Sequence, residues 1–271
     1  MKILNSPVHP CIADAFTHFA RSSPHFSIDA AAEFIESVVT GGQIRDAVNH
    51  ELRTTLANNL YESPFWTTRG LVLVAAPSLI LAVDKVPAHQ SRVLSSLSQD
   101  AVVMSLTEGV HYDRYAMPAD TRLDVLDPDV QLVMNGHAML DRGTPLAVRA
   151  EVDVIDFYAP GEQRYLVKAM SPVRLDFTWS FDRTSLKPWN ISGAHLLDDQ
   201  IMTALEALEH LGGVEHAGTI EHYLDARSHH VRWKALQTLN AVAPERALLA
   251  FDRFLTDPHP HIRKAASEAL N

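Results

Sequence analysis

Apolar residues recur at helical spacing from Pro10 onward: Ile12, Ala15, Phe16, Phe19 and Ala20 share a stripe, with Asp14, His18 and Arg21 outside it. This predicts a packing helix over 10–20. A second helix is expected to be capped by Asp29, to turn Phe34, Ile35, Val38 and Val39 inward, and to stop at Gly41-Gly42. A third is expected from Gln43, where Ile44, Val48, Leu52, Leu56 and Leu60 recur every four residues while Arg45, Asn49, Glu51 and Arg53 face elsewhere. Residues 1–63 therefore form a helical preface.

After Pro64 the period changes. Short β-branched runs bounded by proline or polar turns, at 70–75, 79–83, 101–106, 110–117, 130–134, 145–149, 152–157, 165–169 and 173–181, predict strands. Alternation is plain where Val173, Leu175, Phe177 and Trp179 interleave with Arg174, Asp176, Thr178 and Ser180. Even spacing without intervening helices makes residues 64–192 an antiparallel sandwich or barrel, and Phe177, Trp179 and Phe181 its core aromatics.

From 193 to 271 the helical period returns, with an internal offset of 31 residues. His230-Val-Arg-Trp-Lys-Ala-Leu-Gln-Thr-Leu239 aligns with His261-Ile-Arg-Lys-Ala-Ala-Ser-Glu-Ala-Leu270, and Ala204, Leu205 and Leu208 align with Ala235, Leu236 and Leu239. Ile220 and Leu224 likewise align with Phe251 and Leu255. Each unit is a helix pair that opens after a turn, Asp257-Pro258 being such a start. The whole is an α+β chain in three parts.

Composition narrows the function classes. The 271 residues carry 23 Lys plus Arg against 33 Asp plus Glu, a formal charge of -10, so a nucleic acid or an anionic membrane would meet net repulsion. The single cysteine, Cys11, excludes an intrachain disulfide and sits on an apolar segment as a small hydrophobe. The start lacks the pattern of a secretory signal, and no apolar run reaches the roughly 18 to 20 residues needed to span a bilayer, so a bacterial-type cytoplasmic setting is expected.

Two resemblances follow from motifs. Asp257-Pro-His-Pro-His-Ile-Arg-Lys-Ala-Ala-Ser-Glu-Ala-Leu270 resembles the opening helix of a short HEAT repeat of the phycobilisome-lyase type, over about 75 residues in all. That resemblance implies turn, core and scaffold roles for Asp257, for Val231 and Ile262, and for Arg232 and Arg263. The middle resembles a cupin-type jelly roll: Val110-His-Tyr-Asp-Arg-Tyr-Ala-Met-Pro-Ala-Asp120 is similar to the strand and turn before the first cupin motif. Asn135-Gly136 is similar to a later Gly turn, and Ala159-Pro-Gly161 to the turn that opens the second motif. A metal cupin would carry His-x-His and Glu where this chain has Leu123-Asp-Val-Leu-Asp-Pro128, and a further His where Glu162, Gln163 and Arg164 stand. The resemblance therefore implies a cupin-like barrel without the family's metal site, and edge-to-edge homodimers by analogy.

Candidate chemistry is sparse. His111 and Asp113 lie two apart on a strand and leave the same face, so His137 can complete a two-histidine, one-carboxylate iron triad; solvent-facing polar residues are the plainer assignment. Asp120, Asp124, Asp127 and Asp129 lack the alternate-ligand spacing of a calcium loop. No nucleophile elbow, phosphate loop, His-Glu-x-x-His or Cys-x-x-Cys occurs. Arg227, His229, His230, Arg232, Lys234, His259, His261, Arg263 and Lys264 recur at equivalent repeat positions and are expected to form one basic, pH-sensitive ridge that meets an acidic protein partner or, equally, braces neighbouring repeats.

The expected function is thus non-catalytic. The barrel holds a small molecule or braces the fold, the ridge recognises an acidic protein partner, and no cofactor is needed. The rival expectation is a cupin-type non-haem iron oxygenase or isomerase using His111, Asp113 and His137; the third is nucleic-acid binding through the ridge.

Overall fold

The computed structural model describes residues 7–269. Those residues form two compact units, one running up to Leu123 and over Asp127–Ile191, the other comprising Asp124–Leu126 and the chain from Ser192 onward.

The first unit begins with α1 (Ala13–Ser22), α2 (Ile28–Thr40) and α3 (Gln43–Ala57). The cap of α2 is Ser27, whose side chain accepts the Ala30 N–H at 3.2 Å, and not Asp29, which lies inside the first turn. The four-residue stripe on α3 drifts off the core as 3.6-residue turns require: Ile44 is buried, whereas Leu52 and Leu56 are 55% and 87% exposed and Leu60 lies beyond the helix. Glu51, expected outside, is buried instead.

Eleven strands follow among the described residues: β1 (Gly70–Ala76), β2 (Leu79–Val86), β3 (Val93–Ser95), β4 (Ala101–Ser105), β5 (Val110–Ala116), β6 (Val133–Leu140), β7 (Pro145–Val148), β8 (Asp153–Tyr158), β9 (Arg164–Met170), β10 (Phe177–Asp182) and β11 (Pro188–Gly193). They pair as β1-β2-β9-β4-β7, β6-β5-β8 and β11-β10-β3. Pairings β2 with β9, β4 with β7 and β5 with β6 nest inside one another like a long folded hairpin, and β9 with β4 and β5 with β8 show that hairpin rolled up. Each of these five pairings is antiparallel, which is the winding of a jelly roll.

Alternation along the strands then decides the layers. Val102 and Met104 of β4 pack with Phe34, Ile35 and Val38 of α2, whereas Ala101 and Val103 pack with Val110, Leu140 and Leu166 and with Tyr112, Ile155 and Phe157. The helices of 1–63 therefore share a core with the five-stranded sheet and are no domain of their own: their apolar stripes have nothing else to cover. Leu94, Trp179 and Phe181 are fully buried, the Trp179 indole N–H donating to the Leu123 carbonyl at 2.9 Å. The expectation of core aromatics describes these side chains.

The second unit is helical. It contains α4 (Leu196–Leu211), α5 (Ala217–Glu221), α6 (His229–Val242), α7 (Pro244–Leu255) and α8 (Pro260–Ala269), around Leu205, Ile220, Leu236, Leu239, Phe254 and Ile262. The 31-residue offset is visible in bonds. Arg232 donates to the carbonyls of Ala226 and Arg227, and Arg263 to those of Asp257 and Pro258, six and five residues back in both cases. No described helix is long and apolar enough to cross a membrane.

Candidate active site

One face of the β6-β5-β8 sheet gathers the chemistry. His111, Asp113 and Tyr115 share it by parity, and the register sets Met139 and Tyr158 beside His111, His137 and Asp156 beside Asp113, and Met134 and Val154 beside Tyr115. His137 and Met134 are three residues apart, and an unbroken strand would send them to opposite faces. A bulge in β6 opposite Arg114 and Tyr115 turns both the same way. Asn135-Gly136, expected as a turn, is this bulge, and Gly136 sits at φ 145°, open to glycine alone. A Cβ there would meet nothing within 4 Å, so the barrier to substitution is conformational. Gly136→Ala is expected to cost about 1–3 kcal/mol and to displace His137. A thermal melt that does not move would show that β6 accommodates the substitution.

The centre of the face is Asp113, 2% exposed. Its Oδ1 accepts from His137 Nδ1 at 2.9 Å, and its Oδ2 from Gln90 Nε2 at 2.7 Å and Arg183 Nη1 at 2.8 Å. Arg183 also binds Asp156, donates to Tyr115 Oη at 3.0 Å, and reaches the Ser91 carbonyl at 2.6 Å; Asp156 accepts from the Ser91 N–H and hydroxyl. Burial pushes the Asp113 carboxyl upward, but the bonds from His137 and Arg183 outweigh it and hold the group below the ordinary carboxylate range.

That ionised carboxylate fixes the histidine. Asp113 can only accept, so the His137 proton sits on Nδ1 and Nε2 is left as the basic atom. The ring is half exposed and therefore reachable. Tyr158 Oη lies 3.0 Å from the same Nδ1, and burial, followed by the Asp113 charge, raises its pKa, keeping the phenol protonated. His111 lies nearly parallel to the His137 ring, 5.6 Å between centroids. The face thus has an acid–base dyad, a buried orienting carboxylate and a presented imidazole, with a phenol beside it that braces the ring.

The structure brings His111, Asp113 and His137 together, yet their donors do not fit an iron triad. Both Asp113 oxygens are engaged, and a cation there would face the Arg183 guanidinium. Arg183, Asp156, Gln90, Ser91 and Tyr158 carried no sequence signal for the site, because only the folded register brings residues this far apart in the chain to Asp113.

The expectation that no cofactor is needed is set aside on other grounds. Among the described residues, two sets place three ligating atoms within 4.8 Å of one another: His9, His50 and Glu51, and His229, His259 and His261. In the second, His259 Nδ1 accepts from the His261 N–H at 3.3 Å and Nε2 lies 2.9 Å from the Asp124 carbonyl, so both its nitrogens are engaged.

The basic ridge is corrected by the same unit. His229 and His259 are buried, Arg232 is bonded to both oxygens of Asp257 at 2.9 and 2.8 Å, and Lys234 pairs with Glu209. Arg263 donates inward to two carbonyls, and Lys264 lies 3.9 Å from Glu268. Equivalent arginines do recur at equivalent positions, but they staple turns.

No family model matches the sequence, and no curated protein matches it. Solved structures, some of them described as cupin or double-stranded β-helix proteins, are similar to the chain at low identity. One is a hydroquinone 1,2-dioxygenase from Sphingomonas sp. TTNP3, at 13% identity and TM-score 0.29, covering 41% of this chain and 70% of that one. A DMSP lyase from Ruegeria pomeroyi DSS-3 has 10% identity and TM-score 0.25, over 36% and 40%. A cupin 2 conserved barrel domain protein from Leptotrichia buccalis has 14% identity and TM-score 0.26, over 42% and 45%. The matches thus span less than half of the latter two chains, and the jelly-roll assignment rests on strand order. The expectation of a non-catalytic interaction protein is corrected on the geometry: the ridge that was to meet a partner is bonded within its own unit, and the Asp113–His137 pair offers acid–base chemistry.

Proposed function

We propose that the protein is a cupin-type enzyme of the isomerase kind, moving a proton on a small substrate whose C–H is acidified by a neighbouring carbonyl. The observation that supports this reading is the bond from buried Asp113 to half-exposed His137, which leaves Nε2 as the proton acceptor. His137 Nε2 takes the proton from carbon and returns it to the neighbouring position. Asp113 stabilises the imidazolium formed between the two transfers, and Tyr158 braces the ring. Met134 and Met139, each 52% exposed on the same face, offer the substrate's apolar part a contact.

The test is exchange with solvent deuterium. A panel of 2-oxo acids, hydroxyketones and aldoses is incubated with the full chain in D2O and followed by proton NMR. Hydrogen loss at one carbon is expected, unaffected by chelator and reduced on the order of 10²–10⁴-fold by His137→Gln. Exchange that is indifferent to His137→Gln, or absent across the panel, overturns the assignment.

A second reading has its own observation. His9, His50 and Glu51 are two histidines and a carboxylate, the ligand types that suit iron, and His9 Nε2 lies 3.3 Å from Glu51 Oε1 with both side chains buried. His9 Nδ1 accepts the Cys11 N–H at 3.2 Å, so the ring proton sits on Nε2 and a metal would have to displace it. Near-stoichiometric iron in untagged protein, lost in Glu51→Gln, would support this reading; background metal would remove it.

A further inference from the structure

Away from the histidine face, the helical layer and the five-stranded sheet leave a cavity of about 720 Å³, open at one side. Its walls are apolar: Val48 of α3, Trp66, Leu71 of β1, Val83 of β2, Leu106 and Tyr165 of β9 all line it. Three cations, Arg45, Lys85 and Arg142, line it too, and no carboxylate does. In a chain of net charge -10 this is a marked local reversal. All three cations are exposed, and among the described residues neither Lys85 nor Arg142 enters an ion pair, while Arg45 has only the exposed Asp46 at 3.4 Å. Gly41 and Gly42 also line the space, where α2 ends and α3 begins, so the opposite ends of two helix dipoles meet there and the cavity's sign rests on its side chains.

An apolar chamber of a volume typical for ligands, with two unpaired cations, a third that is paired only at the surface, and no carboxylate in its lining, is complementary to a molecule that is greasy at one end and anionic at the other. We propose that this cavity binds an amphiphilic carboxylate, its aliphatic or aromatic body against Val48, Trp66 and Leu106 and its carboxylate among Arg45, Lys85 and Arg142. The assignment is independent of the chemistry at His137.

Decanoate is the probe, titrated calorimetrically into the full chain below its micelle concentration, with decyltrimethylammonium as the same tail bearing the opposite charge. Saturable binding of one decanoate per chain is expected, with the ammonium compound at least tenfold weaker. Arg45→Glu combined with Arg142→Glu should weaken decanoate at least tenfold. Both arginines are exposed, so the fold should survive, and the comparison of the two probes on the unaltered protein stands even if it does not. Bound decanoate should also change tryptophan fluorescence, and Trp66→Phe should abolish that change. Equal affinity for the two probes, no saturable binding of decanoate, or a fluorescence change that persists in Trp66→Phe would each overturn the proposal.

Discussion

Replacing Arg183 with methionine is expected to destabilise the β unit by about 3–5 kcal/mol at neutral pH, because it leaves two buried carboxylates without their cation. Asp113 and Asp156 are both under a tenth exposed, and Arg183 is the one cation bonded to both among the described residues. The sign of the pH dependence should invert with the substitution. In the native chain the Asp113 carboxyl is held below its unfolded value, so its contribution is complete above the unfolded pKa and is lost as pH falls through the folded one. Without Arg183, burial dominates and the folded pKa rises above the unfolded value. The penalty at Asp113 should then shrink as pH falls and its carboxyl takes up a proton. Asp113→Asn with Asp156→Asn in the same chain should recover much of the loss. Urea unfolding of the variants at two pH values measures all of this; a loss under 1 kcal/mol at pH 7 would mean that water reaches these carboxylates.

The second large effect is acid sensitivity of the helical unit. Burial, reinforced by His230, His259 and His261, lowers the His229 pKa to about 3, and His230 is lowered in the same direction. Between the unfolded value near 6.5 and that folded value, the unfolded chain binds a proton that the folded one refuses. Stability is therefore complete above pH 6.5 and falls as pH drops, by about 1.4 kcal/mol per pH unit for each such histidine. Helical signal melted at pH 7.5 and pH 5 should show a pronounced drop in midpoint, and His229→Phe should flatten it. A midpoint indifferent to pH over that range would show that water or a counter-charge reaches the ring.

Period and punctuation carried much of the architecture. The runs at 70–75, 101–106 and 165–169 are strands within a residue or two, since β-branched residues flanked by turns have few alternatives. The short β3 gives too little alternation to detect, and β11 opens with proline and mixes Asn, Ser and Gly. The apolar run at 130–134 drew its strand too early, because β6 continues through polar, exposed Asn135 and His137 to Leu140. The site was half legible: parity on β5 pairs His111 with Asp113, while the relation to His137 depends on a bulge that spacing does not announce. Arg183 was invisible for a different reason. It follows β10 in a turn, and its bonds to Asp113 and Asp156 exist only once the roll is closed. Between a partner-facing ridge and internal bracing the sequence could not choose, because equivalence fixes where side chains recur and not whether they point to solvent; the carbonyls five and six residues back capture Arg232 and Arg263.

The most direct test of the acid–base dyad is the tautomer of the neutral His137 ring, read from nitrogen-15 shifts in a long-range proton–nitrogen NMR correlation. The proton is expected on Nδ1, at the Asp113 carboxylate, with Nε2 bare, and Asp113→Asn should shift that balance. A neutral ring carrying its proton on Nε2 would contradict the dyad, because the exposed nitrogen would then have no lone pair with which to take a proton.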